Sequence, residues 1–288
     1  MQPIDTAAMS HLKTWVGKSS AFEDQVTSAP VRALSATLDR DDPEPACGTE
    51  LPPLWHWLYF LPYDQQSNIG PDGHPKRGGF LPPVPLPRRM WAGGRLHWHA
   101  PLRVGDAIKR TSTVQSVEHK SGRSGEMVFV VVKHEIANDK GVAVTEEHDI
   151  VYRAAAKPGD PAPKPVAAER DAPWRRTIDA DPVLLFRYSA LTFNGHRIHY
   201  DRQYVMEEEG YPGLIVHGPL IATLLVDLAR RSAPDRRIER FEFKAVRPTF
   251  DQHPLTVNGA PSEDGKTVRL WAEDHEGWLT MSATATLA

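Results

Sequence analysis

The chain has 288 residues, long for one simple core and comfortable for two units of ordinary size. Its net charge is -3 with a pI near 6.5 and it holds no long run of Lys or Arg, which argues against nucleic acid or a membrane surface as a partner. The single cysteine, Cys47, excludes an intrachain disulfide and reads as a structural thiol; with no signal-peptide pattern at the start and no stretch of about 20 apolar residues, a cytoplasmic protein is expected.

In chain order, helical patterns are expected near residues 9–17 and 32–38, and again in an aromatic segment at 53–61 that opens on proline. Residues 71–95 hold many Gly and Pro and no periodicity; Phe80, Leu81, Met90 and Trp91 suggest a lid there, the plain alternative being a loop packed on the sheet. Strands are expected at 108–119, 126–138 and 142–152, where Val, Ile, Phe and Thr alternate or cluster between Gly-rich turns. Pro and Ala then displace these residues, marking a linker at 154–171 between an N-terminal unit, 1–153, and a C-terminal unit, 172–288.

The second unit repeats the order of the first. Leu220, Ile221, Leu224, Leu225 and Leu228 form one stripe of a helix over 220–230, opened by Pro219 and ended by Arg230-Arg231. Strands are expected at 237–247, 255–260, 267–273 and 278–287. A helix followed by antiparallel strands, twice, is an α+β arrangement in which two copies can share one sheet.

Residues 187–201 read Arg-Tyr-Ser-Ala-Leu-Thr-Phe-Asn-Gly-His-Arg-Ile-His-Tyr-Asp, and 211–220 read Tyr-Pro-Gly-Leu-Ile-Val-His-Gly-Pro-Leu. Asn194, His196 and His199 fall within six residues, so one short turn can aim them at a common cavity. Gly218-Pro219 at a helix start offers backbone N–H groups to a developing oxyanion. Gly218 also has a plainer reading, a tight turn before Pro219, and His196 and His217 one as buried structural imidazoles. Together these groups suit acid–base chemistry beside a carbonyl.

Tyr188, Ser189, Asn194, His196 and His199, followed by Ile215-Val-His-Gly-Pro-Leu-Ile-Ala, resemble the signature of the MaoC-type, or R-specific, enoyl-thioester hydratases. The wording of the motif and the two-unit layout resemble more narrowly the subgroup of 3-hydroxyacyl-thioester dehydratase type 2 and of mesaconyl-C4-CoA or itaconyl-CoA hydratases. The resemblance implies a double hotdog, each half a long central helix wrapped by an antiparallel sheet, with a first half that has lost its catalytic residues. It implies reversible addition of water to an enoyl-CoA thioester, with a C4-dicarboxylate ester (mesaconyl-C4-CoA or itaconyl-CoA, giving citramalyl-CoA) as the expected substrate and dehydration of 3-hydroxyacyl-CoA or acyl carrier protein esters as the alternative. It also implies an acyl-CoA as the partner, no cofactor, and a homodimer, although two hotdogs in one chain make a monomer conceivable.

One departure bears on mechanism. The family's Asp falls on Asn194 and its Asn on His196, and an amide cannot take up a proton at neutral pH. His199 is then expected to carry the proton, Asn194 to orient water or substrate, and the Gly218 N–H to meet the oxyanion, with His196 or Asp201 sharing the work. Tyr188, His196 and His217 are expected to line the substrate. Arg197, or Arg95 with Arg88 and Arg89 on the loop, is expected to pair with a substrate carboxylate, a surface role being the plain alternative for each. His196, His199 and His217 lack a neighbouring Cys or Glu to complete a zinc pattern, so no metal is expected. The lost carboxylate also leaves open a non-catalytic acyl-thioester binding module.

Overall fold

A computed structural model describes residues 4–76, 79–122, 125–154 and 164–288. Asp5 caps α1 (Thr6–Lys13) by accepting a bond from the Ala8 N–H at 2.7 Å, and Met9 and Leu12 seat the helix on a satellite core. Then come β1 (Ser19–Gln25), α2 (Ser28–Thr37), a single 3₁₀ turn at Trp55–Leu58, and β2 (Arg88–Trp98). Three long antiparallel strands complete the first half: β3 (Ala107–Gly122), β4 (Gly125–Asn138) and β5 (Gly141–Arg153).

The second half runs through β6 (Trp174–Ile178), α3 (Pro182–Leu191), α4 (Arg202–Glu207), α5 (Gly218–Ser232), β7 (Ile238–Ala245), β8 (Leu255–Pro261), β9 (Thr267–Glu273) and β10 (Leu279–Leu287). Among the described residues these strands form one ten-stranded sheet in the order β1-β3-β4-β5-β2-β7-β10-β9-β8-β6. Read from the β2–β7 seam outward, the two halves are copies of each other. At that seam Gly93 faces Lys244 and Gly94 faces Phe243; a Cβ on Gly93 would stand 2.5 Å from the Phe243 carbonyl oxygen, so a side chain there would part the halves.

The fold is the expected double hotdog, and the helix of its first half is where the chain differs from the expected detail. α5 is 15 residues long and buried at every position from Leu220 to Ala229, because the sheet wraps it on one side and the first half covers the other. The apolar stripe expected from sequence is therefore narrower than the buried surface, which also takes in Thr223 and Asp227. In the first half the corresponding place holds only the turn Trp55–Leu58, entered through Leu54 at φ 71°. Pro52 and Pro53 before it and Pro62 after it leave too little chain for a long helix, and its aromatic side chains are poor helix formers.

The halves are also tied through charge. Asp227 of α5, fully buried, accepts bonds from Arg40 at 2.6 Å, Arg231 at 2.7 Å and Arg176 at 2.9 Å, while Arg176 and Arg231 also donate to the Leu38 carbonyl. The expected lid divides differently from its sequence reading. Its last part is β2, Phe80 and Leu81 pack on the satellite core, Met90 is exposed, and Trp91 turns inward. Half of the expected linker, residues 155–163, lies outside the described residues; in the other half Ala167 bridges to Trp278 and Glu169 pairs with Arg269.

Candidate active site

Where the first half lacks its helix, a cavity of about 900 Å³ opens between the inner face of the first-half sheet and α3 of the second half. Three parts of the chain wall it: the loop from Tyr59 to Pro75, the sheet residues Trp91, Arg110, His134, Glu146 and His148, and the stretch from Phe186 to Arg197.

The motif reaches the wall through local turns. Asp181 caps α3 by accepting from the Leu184 N–H at 2.8 Å, with Pro182 preset for the first turn. The helix ends at Leu191, and Phe193 takes a left-handed φ of 49°, which swings Asn194 back so that its N–H meets the Ser189 carbonyl at 2.8 Å. The Asn194 side-chain oxygen accepts the His196 N–H at 3.0 Å, an Asx turn that fixes the loop, and Asn194 lines the cavity. Asp201 caps α4 through the Tyr204 N–H.

Three imidazoles gather behind this turn. His199 is buried and donates from Nδ1 to the Ile215 carbonyl at 2.7 Å, which leaves Nε2 as the proton acceptor. Its ring stacks on His217 at 3.6 Å, and His196 meets it edge-on at 5.5 Å. Burial pushes the His199 pKa down to about 4, against the bond to Ile215, and pushes His196 down to about 2 with help from the neighbouring His74 and His199. His217, fully buried, is held well below the usual histidine range by burial. These rings are neutral at pH 7.

His217 Nε2 lies 2.8 Å from Ser189 Oγ, while its Nδ1 is buried without a partner among the described residues. A bare lone pair is the cheaper atom to leave unmet, so Nε2–H donates and the Ser189 hydroxyl hydrogen is free to point at a ligand; Ser189 lines the cavity. Tyr188 is buried edge-on to His217 and bonded to Thr223, and burial raises its phenol. Gly218 begins α5, where first-turn N–H groups lack intrahelical acceptors, and a Cβ built on it would meet nothing within 4 Å.

The structure brings Tyr188, Asn194, His196, His199, His217 and Gly218 together. Of the expected cations, Arg197, Arg95 and Arg88 are engaged by protein groups, although Arg197 also lines the cavity. Arg197 is bound twice by Asp201, donates to the Pro71 carbonyl at 3.0 Å and stacks on Tyr204. Arg95 is clamped between Glu147 and Asp149, away from the cavity wall, and Arg88 bonds to Tyr211 and the Glu209 carbonyl.

The fourth expected cation, Arg89, stands on the wall beside Arg110, which sequence reasoning did not single out. Arg89 and Arg110 line the cavity, and among the described residues neither forms an ion pair. Arg110 Nε is buried without a partner among the described residues, the group lies over the rings of Phe60 and Phe22, and burial lowers its pKa against the attraction of Glu146 and Asp24. Beside it the buried Glu146 accepts from His56 at 2.9 Å, from the Trp57 indole at 2.8 Å and from His148. His134 bonds to Ser112 and meets His148 edge-on. Sequence reasoning missed this cluster, although its signal was present: Glu146 and His148 stand two apart on a strand, so both face inward.

The family profile described as hydroxyacyl-thioester dehydratase type 2 matches residues 54–251, from the aromatic turn through the motif and α5. The chain belongs to that family. A hydroxyacyl-thioester dehydratase type 2 of Schizosaccharomyces pombe is 27% identical over 88% of this chain and 92% of its own length. A mesaconyl-C(4)-CoA hydratase of Chloroflexus aurantiacus is 47% identical over 277 residues, 95% of this chain and 96% of that protein. Among solved structures, a MaoC-like dehydratase superposes with a TM-score of 0.70 at 14% identity, covering 96% of this chain and 99% of the other. A Mycobacterium tuberculosis protein described as a double hotdog gives 0.56 at 14% identity, covering 95% and 96%. These neighbours establish the fold, and within the hydroxyacyl-thioester dehydratase type 2 family the matched span also includes the loop and sheet residues that sequence reasoning passed over.

Proposed function

We propose that this protein is a hydro-lyase that adds water reversibly across the double bond of an enoyl-CoA thioester, and that its substrate is mesaconyl-C4-CoA, giving citramalyl-CoA. The observation that carries the choice of an acidic acyl group is the pair of cavity-lining arginines, Arg89 and Arg110, which have no carboxylate partner among the described residues. A buried guanidinium without a counter-ion is costly, and a substrate carboxylate supplies one. The 47% identity to a mesaconyl-C(4)-CoA hydratase over nearly the whole chain supports the same reading.

In the reaction, the oxygen of water bonds to the β-carbon, the π electrons move onto the thioester oxygen, and the α-carbon takes a proton. Donors fixed in place before the charge develops contribute about 3–4 kcal/mol each to such an enolate, and the Gly218 N–H and Ser189 hydroxyl fill that role. His199 supports proton transfer from behind the cavity wall with Nε2 unprotonated, Asn194 orients the water, and Tyr188, His196 and His217 shape the pocket. The proposal includes no metal or organic cofactor, a homodimer of these chains, and a cytoplasmic location.

The test is loss of enoyl absorbance on mixing enzyme with mesaconyl-C4-CoA or crotonyl-CoA, for wild type and His199→Ala. Preference for the dicarboxylate, lost in the variant, is expected. Preference for crotonyl-CoA would move the protein to fatty-acyl dehydration. No turnover of any enoyl or 3-hydroxyacyl thioester by folded protein would make it a binding module.

A further inference from the structure

The motif holds no Asp or Glu from Tyr188 to His199, yet a carboxylate from elsewhere in the chain stands against it. The loop from the first half crosses to the second and docks on residues 195–197: the Arg197 N–H donates to the Asp72 carbonyl at 2.9 Å, and Arg197 Nη1 to the Pro71 carbonyl. Two glycines make the approach possible. A Cβ on Gly73, whose φ is +88°, would stand 1.8 Å from the Gly195 carbonyl oxygen, and one on Gly195 would stand 3.0 Å from that of Gly73. No residue but glycine lets the two backbones meet so closely.

The docking delivers a hydrogen-bonded pair. Asp72 accepts the His74 backbone N–H at 3.0 Å with one oxygen and faces His74 Nδ1 at 3.2 Å with the other; the bond to His74 holds the carboxyl below its ordinary range. The His74 ring centre is 3.9 Å from that of His196. His74 lines the cavity, whereas His196, His199 and His217 are not among its lining residues.

Resting on the hydratase reading above, we infer that His74 is a catalytic acid–base of the reaction and Asp72 its positioning residue, the pair replacing the carboxylate lost at Asn194. With Nδ1–H donated to Asp72, Nε2 is the nitrogen left to accept a proton, and it has no protein partner among the described residues. This is the carboxylate–imidazole arrangement of a general base whose tautomer is fixed by a neighbour. Nε2 takes a proton from water as the oxygen bonds to the β-carbon and the π pair moves to the thioester oxygen. The imidazolium so formed returns that proton to the α-carbon as the enolate collapses. One water is consumed, His74 ends neutral, and Asp72 keeps its charge throughout.

The experiment measures hydration of mesaconyl-C4-CoA by wild type, His74→Ala, His74→Gln and Asp72→Asn, each checked for native circular dichroism. General acid–base catalysis predicts a fall in kcat of about 10²–10⁴-fold for both His74 variants with KM changed less than about threefold. Added imidazole should restore His74→Ala saturably, which a packing role would not allow, and Asp72→Asn should lose kcat while KM holds. Full activity of His74→Gln in an active wild-type background overturns the inference and leaves the hydratase reading intact. Wild type inactive on every enoyl thioester overturns both. Because Asp72, His74 and His196 place ligand-type atoms within 4.8 Å of one another, activity lost on chelation and restored by a divalent cation would also overturn it, in favour of a metal centre.

Discussion

Arg110→Met moves two observables in opposite directions. The guanidinium is enclosed, its Nε has no partner among the described residues, and it rests on Phe60 and Phe22 without an ion pair to the nearby Glu146 or Asp24. If it meets the substrate carboxylate, truncation removes one side of a desolvated charge pair, worth about 2–4 kcal/mol. That corresponds to a loss of about 30- to 1000-fold in kcat/KM for mesaconyl-C4-CoA. The control is 3-methylcrotonyl-CoA, in which a methyl replaces the carboxylate; its turnover should be unchanged or improved. In the free protein the same substitution removes a cation whose burial outweighs the attraction of Glu146 and Asp24, while methionine keeps the aromatic contacts, so the melting temperature should hold or rise by about 2 °C. Equal losses on both thioesters, or a clear drop in melting temperature, would refute the assignment, because the arginine would then be supporting the fold.

Glu146→Gln should lower stability in urea by about 3 kcal/mol near neutral pH, since the amide cannot accept from His56, Trp57 and His148 together. Burial alone would raise this carboxyl, but His148 and His56 outweigh it and hold it well below its ordinary value. Its folded pKa is depressed, so its contribution is complete above the unfolded value and disappears as pH falls through the folded one; wild type and variant should converge in acid. Asp227→Ala removes the shared carboxylate of three guanidinium groups, of which only Arg40 keeps another carboxylate, Asp42, and should cost about 3–5 kcal/mol in the same assay. Gly73→Ala should cost about 10²-fold in kcat/KM through displacement of the loop, with little change in urea midpoint.

The fold was legible wherever one face of an element is apolar. β3 to β5 and β7 to β10 announce themselves by alternation, and α5 by its leucine stripe. β1 and β6 are short edge strands with mostly exposed positions, and β2 begins inside a Pro-rich stretch, so their pairing is set by partners far along the chain. The motif residues were readable because a turn gathers neighbours in sequence. Asp72 and His74 lie more than a hundred residues from the motif they touch, and only the glycine pair brings them there. Arg197 and Arg95 looked available because a sequence shows a charge but not its counter-ion, here Asp201 in one case and Glu147 with Asp149 in the other.

The strand order that mirrors itself across the β2–β7 seam has a consequence for dissection of the molecule. One scaffold position holds fifteen residues of helix in one half and four residues of turn in the other, and the difference in volume is where the cavity opens. Severed at the junction, the first half would be a shell around empty polar space, its inner charges open to water. The second half would keep its helix but lose Arg40 from Asp227 and expose the β7 edge. Neither piece retains what makes the other foldable, so the repeated architecture behaves as one cooperative unit whose hollow side depends on its solid side.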